Sequence, residues 1–333
     1  MKLALVGADT LLGREVQEVL RNRLGQAHIT AFSASGEGNF GEQEGEAVYL
    51  EPLDTSTAKD HDVLISAGSE AGAQKAYAVA KAAEGRLPLL DCTGYLDQQP
   101  EARIIAPLLQ PLDARPNWLM VVAHPAASAL GLTLYRLARH RHMQRAVAHI
   151  FEPASERGKR GVAELHQQTT SLLSFQSLEK KVFDAQLGFN LLSQYGAEAP
   201  NKLATFEQRI ERHVATLLSR AEPAAAVPMP SLRLIQAPVF HGYSISLWAE
   251  FVSEVHASEL EEALASAQIE VRRQSEEAPH AADAVNQSGL LAGDIRVDRN
   301  NPRAAWFWIV GDNLRLMADA VTETILSLQK QPL

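Results

Sequence analysis

One feature narrows the possible folds of this chain more than any other: a short apolar run that ends in a glycine turn and continues as a helix. Residues 3–6 are Leu-Ala-Leu-Val, followed by Gly7-Ala8-Asp9-Thr10-Leu11-Leu12-Gly13 and a stretch with Val16, Val19 and Leu20 at helical spacing. A continuous apolar run bounded by glycine is the pattern of a strand buried on both faces. Strand, glycine turn and helix together open a doubly wound nucleotide-binding fold. Similar short runs recur at 29–32, 63–66, 89–91 and 118–122, with an alanine-rich helix expected over 71–83. The first part of the chain therefore reads as a Rossmann-like parallel sheet.

The texture then changes. A helix is expected over 129–140, a strand over 146–151, and helices over 161–172 and 206–218. Strands over 232–238, 244–252 and 305–310 suit an antiparallel or mixed sheet. Residues 221–230, rich in proline and alanine, read as a connector. Asp312-Asn313-Leu314 starts a final helix to about residue 328. At 333 residues the chain exceeds one ordinary core. The expected organisation is α/β: a Rossmann-like domain over 1–126 completed by a C-terminal helix at 312–333, and an α+β domain of catalytic or dimerisation type over 127–311.

Composition excludes several classes. The net charge of −9 with no basic stripe argues against nucleic acid. No apolar run approaches the ~20 residues that span a bilayer, and the apolar start at 1–7 is too short for a signal peptide. A cytoplasmic protein without membrane contact is expected. Cys92 is the one cysteine, which rules out an internal disulfide framework and a cysteine metal cluster. Neither His124 nor His241 stands in a recognisable metal-ligand spacing, and no metal is expected.

A glycine turn at a helix N-terminus presents backbone N–H groups to phosphate. Gly7, Thr10, Leu11, Leu12 and Gly13 are the candidate pyrophosphate contacts, and Ser33 and Ser35, after the second strand, the candidate ribose contacts. Thr10 occupies the middle position, where glycine gives closest approach; its β-branch costs space, although its hydroxyl is a possible contact. Glu37 stands where an NADP site favours an arginine. Two readings stay open, a dinucleotide site and a purely structural turn.

The ordered motifs make a resemblance specific. The chain resembles aspartate-semialdehyde dehydrogenases from end to end. Gly7-Ala8 to Gly13 is similar to that family's Gly-Ala-Thr-Gly-x-x-Gly, Ser66-Ala67-Gly68 to Ser-Ala-Gly, and Asp91-Cys92-Thr93 to Asp-Asn-Ser. Ser155 with Gly158-Lys159-Arg160-Gly161 is similar to Ser-Gly-x-Gly-Lys-x-Gly, and Phe189-Asn190 to Phe-Asn. Pro238-Val239-Phe240-His241-Gly242 is similar to Pro-Val-x-x-Gly, and Asp312-Asn313-Leu314 to Asp-Asn-Leu. The resemblance implies an NADP-dependent homodimer of amino-acid biosynthesis that reduces aspartyl phosphate to the semialdehyde, and it adds Asn313 to the cofactor contacts.

That chemistry needs a thiolate held at a helix N-terminus and a base beside it. The family's cysteine, from Asn-Pro-x-Cys, aligns with Ala127 in His124-Pro125-Ala126-Ala127, and its histidine aligns with Tyr243. Its glutamine aligns with Glu152, its substrate arginine with Gln236, its phosphate arginine with Asp97, and its amine-binding glutamate loosely with Glu211. The expectation is a pseudoenzyme with no intact catalytic residue, residual NADP binding at most, and a regulatory role as a homodimer or as a heterodimer with an active relative. The alternative is an NAD(P)-dependent oxidoreductase on another carbonyl, with Tyr243 as proton donor and no thioester.

The remaining candidates have plainer readings. Cys92 reads as a small buried hydrophobe. Ser128 reads as a helix cap rather than a nucleophile. His124 reads as a backbone partner at a bend. Two-residue alternation would put His241 on the face of Tyr243. Lys159 and Arg160 read as solvated charges, and Trp306-Phe307-Trp308 as core and interface.

Overall fold

The computed structural model describes the chain except residues 26–27, 44–45, 111–116, 221–226 and 331–333. The chain forms two compact units, Met1–His124 with Met317–Leu333, and Pro125–Leu316.

The first unit contains β1 (Lys2–Val6), α1 (Leu11–Leu24), β2 (His28–Phe32), β3 (Asn39–Gln43), β4 (Glu46–Leu50), α2 (Thr55–Ala58), β5 (Val63–Ser66), α3 (Glu70–Ala82), β6 (Leu89–Asp91), β7 (Arg103–Ile105) and β8 (Leu119–Val122). Six strands form one sheet in the order β2-β1-β5-β6-β8-β7, every neighbouring pair parallel. Leu3, Ala4, Leu5 and Val6 are all fully buried, as expected of a strand covered on both faces. Val16, Val19 and Leu20 of α1 pack into one core with Leu3, Leu5, Val63, Ile65, Val321 and Ile325. The strand order reverses at β1, with β2 on one side and β5 on the other, so the turns after β1 and β5 meet at the topological switch point. Open α/β sheets bind ligands there. The separate β3–β4 hairpin follows β2.

The second unit contains α4 (Pro125–His140), β9 (Met143–Glu152), a 3-10 turn (Ala154–Arg157), α5 (Gly158–Leu173), α6 (Leu203–Ser219), β10 (Ser231–Gln236), β11 (Tyr243–Phe251), α7 (Ala257–Leu264), β12 (Ile269–Val271), α8 (Ala281–Ala284), β13 (Leu290–Asp298) and β14 (Asn301–Gly311). The final helix, α9 (Asn313–Gln329), begins in this unit. Its mixed sheet runs β10-β9-β11-β14-β13-β12. One face is apolar and buried: Tyr243, Ile245, Leu247 and Ala249 of β11 are at most 1% exposed. The opposite face carries Val147, His149, Phe151, Ser246, Trp248 and Trp308, all half-buried, and the exposed Trp306. In register, Trp248 pairs with Trp306 and Val147, and Ser246 with Trp308 and His149. Half-exposed aromatics in adjacent register form a continuous partly apolar patch.

Two side chains of α5 hold the long segment that precedes α6. Glu164 accepts from Val182 N at 2.6 Å and Phe183 N at 3.2 Å. Gln168 accepts from Leu187 N at 2.7 Å and Gly188 N at 3.0 Å. Backbone N–H groups of an irregular segment are thus satisfied by polar groups that are themselves buried.

Several expectations need correction. The helix expected from 129 begins at Pro125, because proline suits the first helical position. Ser128 therefore lies inside the first turn and makes no N-terminal cap. His241 precedes β11, and Gly242 has φ +84, so strand alternation does not carry His241 onto the face of Tyr243. The strand β13 went unread; Gly293, Asp294 (φ +47) and a register shift break its alternation. Of the connector at 221–230, residues 221–226 lie outside the described residues, and the rest is irregular.

Candidate functional site

The first unit offers a dinucleotide-type turn. Gly7 has φ +92, and a Cβ on it would collide with the backbone of Ala67 and Gly68. A Cβ on Gly13 would collide with Gly7 O. Both glycines are therefore required by close backbone approach. Thr10 caps α1: its Oγ1 accepts from Gly13 N at 2.9 Å. The same hydroxyl lies 2.8 Å from Gly7 O and 2.9 Å from Ala67 O, able to donate to either, which ties the turn after β1 to the turn after β5. With Gly13 N bonded to Thr10 Oγ1 and Arg14 N to Thr10 O, the first-turn N–H groups of Leu11 and Leu12 have no acceptor among the described residues.

The loop after β2 is also tied down. Ser33 is buried and donates to Glu37 O at 2.6 Å, with Ser35 Oγ 3.3 Å away. Lys75, from α3, meets Glu37 Oε1 at 2.7 Å. This cation was missed because it comes from a different element, 38 residues further along the chain. Cys92 is buried, and burial followed by the charge of Asp91 pushes its thiol well above the ordinary value. It is a protonated core residue.

The second unit holds a different kind of site. Ala127, which the resemblance would set at the nucleophile position, is fully buried in the first turn of α4, and Ser128 beside it is also buried. Asn313 gathers three of the sequence motifs: its Oδ1 accepts from Ser155 Oγ at 3.1 Å and Gly242 N at 3.2 Å, and its Nδ2 donates to Glu156 Oε1 at 2.9 Å. Asp312 caps α9 through Leu314 N and Arg315 N. The motifs around Ser155, Gly242 and Asn313 thus converge on one buried amide.

Around it lies an ionic cluster. Glu152 is fully buried and its Oε2 pairs with Arg157 Nη2 at 2.6 Å. Arg157 also donates to the Tyr195 hydroxyl at 3.1 Å and lies over the Phe206 ring at 3.4 Å from its centroid. Tyr195 donates to Gln236 Oε1 at 2.6 Å, and Gln236 Nε2 donates to Glu152 O at 2.8 Å. Burial opposes the charge on Arg157, but Glu152, Tyr195 and Glu156 outweigh it and hold the guanidinium firmly protonated. Glu156 is half-buried; burial and the charge of Glu152 push its carboxyl up to about 7, against the pull of Arg157, Asn313 and Tyr243. Tyr243 is 1% exposed and hydrogen-bonded to Glu156; burial and the charges of Glu156 and Glu152 raise its phenol well above the ordinary value.

Sequence reading placed Glu152, Gln236 and Tyr243 here but missed Glu156, Arg157 and Tyr195. The available signal was Glu156, which stands at the first glycine of the Ser-Gly-x-Gly-Lys-x-Gly pattern. Glu211 is half-buried on α6, while Glu207, one turn earlier, accepts from Leu234 N at 2.7 Å. Lys159 and Arg160 are exposed. Asp97 and His124 belong to the first unit, as do all the expected cofactor contacts except Asn313.

A doubly wound parallel sheet with a glycine turn at its switch point, followed by a mixed-sheet unit, defines a dehydrogenase-type architecture. Residues 137–316 match the dimerisation domain of semialdehyde dehydrogenases, and the chain belongs to that family. A USG-1 protein homolog of Azotobacter vinelandii is 29% identical over 323 residues, covering 94% of this chain and 93% of the relative. The aspartate-semialdehyde dehydrogenase of Rickettsia bellii is 26% identical over 326 residues, again covering 94% and 93%. The fold matches aspartate semialdehyde dehydrogenase II of Vibrio cholerae with a TM-score of 0.83 at 21% identity, over 99% of this chain and 98% of the other. Structures of this fold include an aspartate semialdehyde dehydrogenase with NADP from Candida albicans, TM-score 0.71 at 12% identity, covering 99% and 98%. Among the described residues no helix is long and apolar enough to cross a membrane.

Proposed function

We propose that this protein is a catalytically silent member of its family, a cytoplasmic homodimer that binds a small ligand without turning it over. The observation that carries the reading is Ala127: a methyl group, fully buried, stands where acyl transfer would need a thiolate. Cys92 offers no substitute, being buried and protonated. The loss extends to the surrounding groups. Arg157 is paired with Glu152, bonded to Tyr195 and stacked on Phe206, so its charge is already largely offset and an anionic substrate would have to compete with Glu152 for it.

The dimer is supported by the partly apolar open face of the mixed sheet, within the segment that matches the family's dimerisation domain. The same face suits a mixed dimer with an active relative, through which a silent subunit would act as a regulator.

The turn after β1 fits a dinucleotide, since Gly7 leaves backbone clearance and the N–H groups of Leu11 and Leu12 have no acceptor among the described residues. NADP would be held by Gly7, Thr10, Leu11, Leu12 and Gly13 at the pyrophosphate and by Ser33 and Ser35 at the ribose, with Lys75 beside that loop. Asn313 is the weakest member of the set, because its amide is already engaged with Ser155, Gly242 and Glu156. In its reduced form such a cofactor would supply a hydride, and in its oxidised form it would accept one. The alternative, a carbonyl reductase using Tyr243, is opposed by the burial of that phenol, which leaves it no access to a substrate.

The test is an assay of aspartate semialdehyde oxidation with NADP and phosphate, alongside calorimetric titration with NADP(H). The expected result is binding without turnover, and no recovery of activity in the Ala127→Cys/Tyr243→His double variant, because Glu152, Glu156 and Gln236 remain. Turnover by the unmodified protein would overturn the reading.

A further inference from the structure

The cluster in the second unit has more negative than positive charge. Glu152 and Glu156 bring carboxylate oxygens within 4.8 Å of one another, and a single guanidinium, Arg157, serves both. The oxygens are not equally satisfied. Glu152 Oε2 takes Arg157 at 2.6 Å, with the Tyr195 hydroxyl at 3.5 Å. Glu152 Oε1 is buried and has no hydrogen-bond partner among the described residues. Glu156 Oε1 takes the Asn313 amide, and Tyr243 adds a second donor to that carboxyl. A buried carboxylate oxygen without a donor costs several kcal/mol in general terms, and an arriving N–H relieves that cost.

The chemistry of the missing donor can be narrowed. An anion would meet two carboxylates and a guanidinium already engaged on three sides. An apolar group would leave Glu152 Oε1 unsatisfied. An ammonium has three donors and no acceptor. With its nitrogen about 2.8 Å from each of two oxygens and a tetrahedral angle between them, it bridges about 4.6 Å, within the 4.8 Å limit on this pair. The half-buried Glu156 is the exposed end of the cluster. The resemblance would set Gln236 against an arginine, Glu152 against a glutamine and Glu156 against a glycine, each the less positive or more negative of its pair.

We propose that Glu152 and Glu156 form a subsite for the primary ammonium group of a small ligand. The inference rests on the reading of this site as silent, since it names what such a site would hold.

The experiment uses the full chain and methylammonium chloride as probe, at constant ionic strength and from pH 6 to pH 8, followed by calorimetry in two buffers of different ionisation enthalpy. Saturable binding is expected, with proton release at pH 6 that diminishes by pH 8. Tetramethylammonium, which has no N–H, should bind at least about tenfold more weakly. Glu152→Gln and Glu156→Gln should each weaken methylammonium by about tenfold or more. Equal binding of the two ammonium ions, tighter binding of inorganic phosphate, or tighter binding of magnesium would each overturn the subsite. The comparison between methylammonium and tetramethylammonium needs only the unmodified protein, so a variant that fails to fold does not block it. Turnover in the semialdehyde assay would sink the silent reading, whereas loss of discrimination between the two ammonium ions would sink only the subsite.

Discussion

The glycine turn of the first unit and the ionic cluster of the second are built in different ways. In the turn, Thr10 is held locally: its hydroxyl caps α1 and stitches Gly7 O to Ala67 O. In the cluster, Glu152, Glu156, Gln236 and Tyr243 are joined in one network with Arg157, Tyr195 and Asn313. A site made of backbone N–H groups keeps its geometry through a side-chain change, because the strand and helix fix it. A site made of side chains does not, and replacement of one charge obliges its neighbours to change.

The strongest way to break this contrast is Arg157→Ala. It leaves Glu152 buried without its partner, and removing one member of a buried pair costs about 3–5 kcal/mol. Urea unfolding should show that loss, while the double variant Glu152→Gln/Arg157→Met should recover at least half of it. A loss below about 1 kcal/mol would mean that the cluster is not the interlocked unit described above.

A smaller effect separates Glu156 from the rest. Its folded-state carboxyl titrates near 7, above its ordinary value of 4.5, so the fold favours the protonated form. Its contribution to stability is fully present below about pH 4.5 and is lost as pH rises through about 7. Relative to Glu156→Gln, which keeps acceptor and donor atoms but cannot ionise, the natural protein should lose about 1–3 kcal/mol between pH 5 and pH 8. Parallel stability curves for the two proteins would show that Glu156 ionises normally, and would remove the electrostatic coupling to Glu152.

The same contrast explains what could be read from the sequence. Five of the six parallel strands were legible because apolar runs such as residues 3–6 and 63–66 sit between glycine and polar turns; the three-residue β7 (Arg103–Ile105), opened by a charge, was not. Nor was β13, because Gly293 and Asp294 break its alternation. In the site, Ala127 and Tyr243 were singled out by comparison with the motifs alone. Arg157 and Tyr195 were not, because what they do depends on their meeting Glu152 and Gln236 from 5 and 41 positions away. Lys75 escaped notice for the same reason. Motif positions locate a site, but charge balance within it depends on residues that no motif contains.

The smallest effect bears on the turn. Thr10→Ala removes the hydroxyl that caps α1 and should cost about 1 kcal/mol, read as a lower unfolding midpoint. Thr10→Gly should cost only a few tenths at the cap itself, with a further entropic loss from the more flexible unfolded chain. It also removes the β-branched side chain from the middle of the turn. If the turn is a dinucleotide site narrowed by Thr10, calorimetry should find NADP bound more tightly by Thr10→Gly than by the natural protein, although the variant is less stable. If Thr10→Gly and Thr10→Ala lose stability and neither gains affinity, the hydroxyl stitch between Gly7 and Ala67 is the whole purpose of the residue. The turn would then be a structural joint, and of the two regions only the cluster would remain a candidate ligand site.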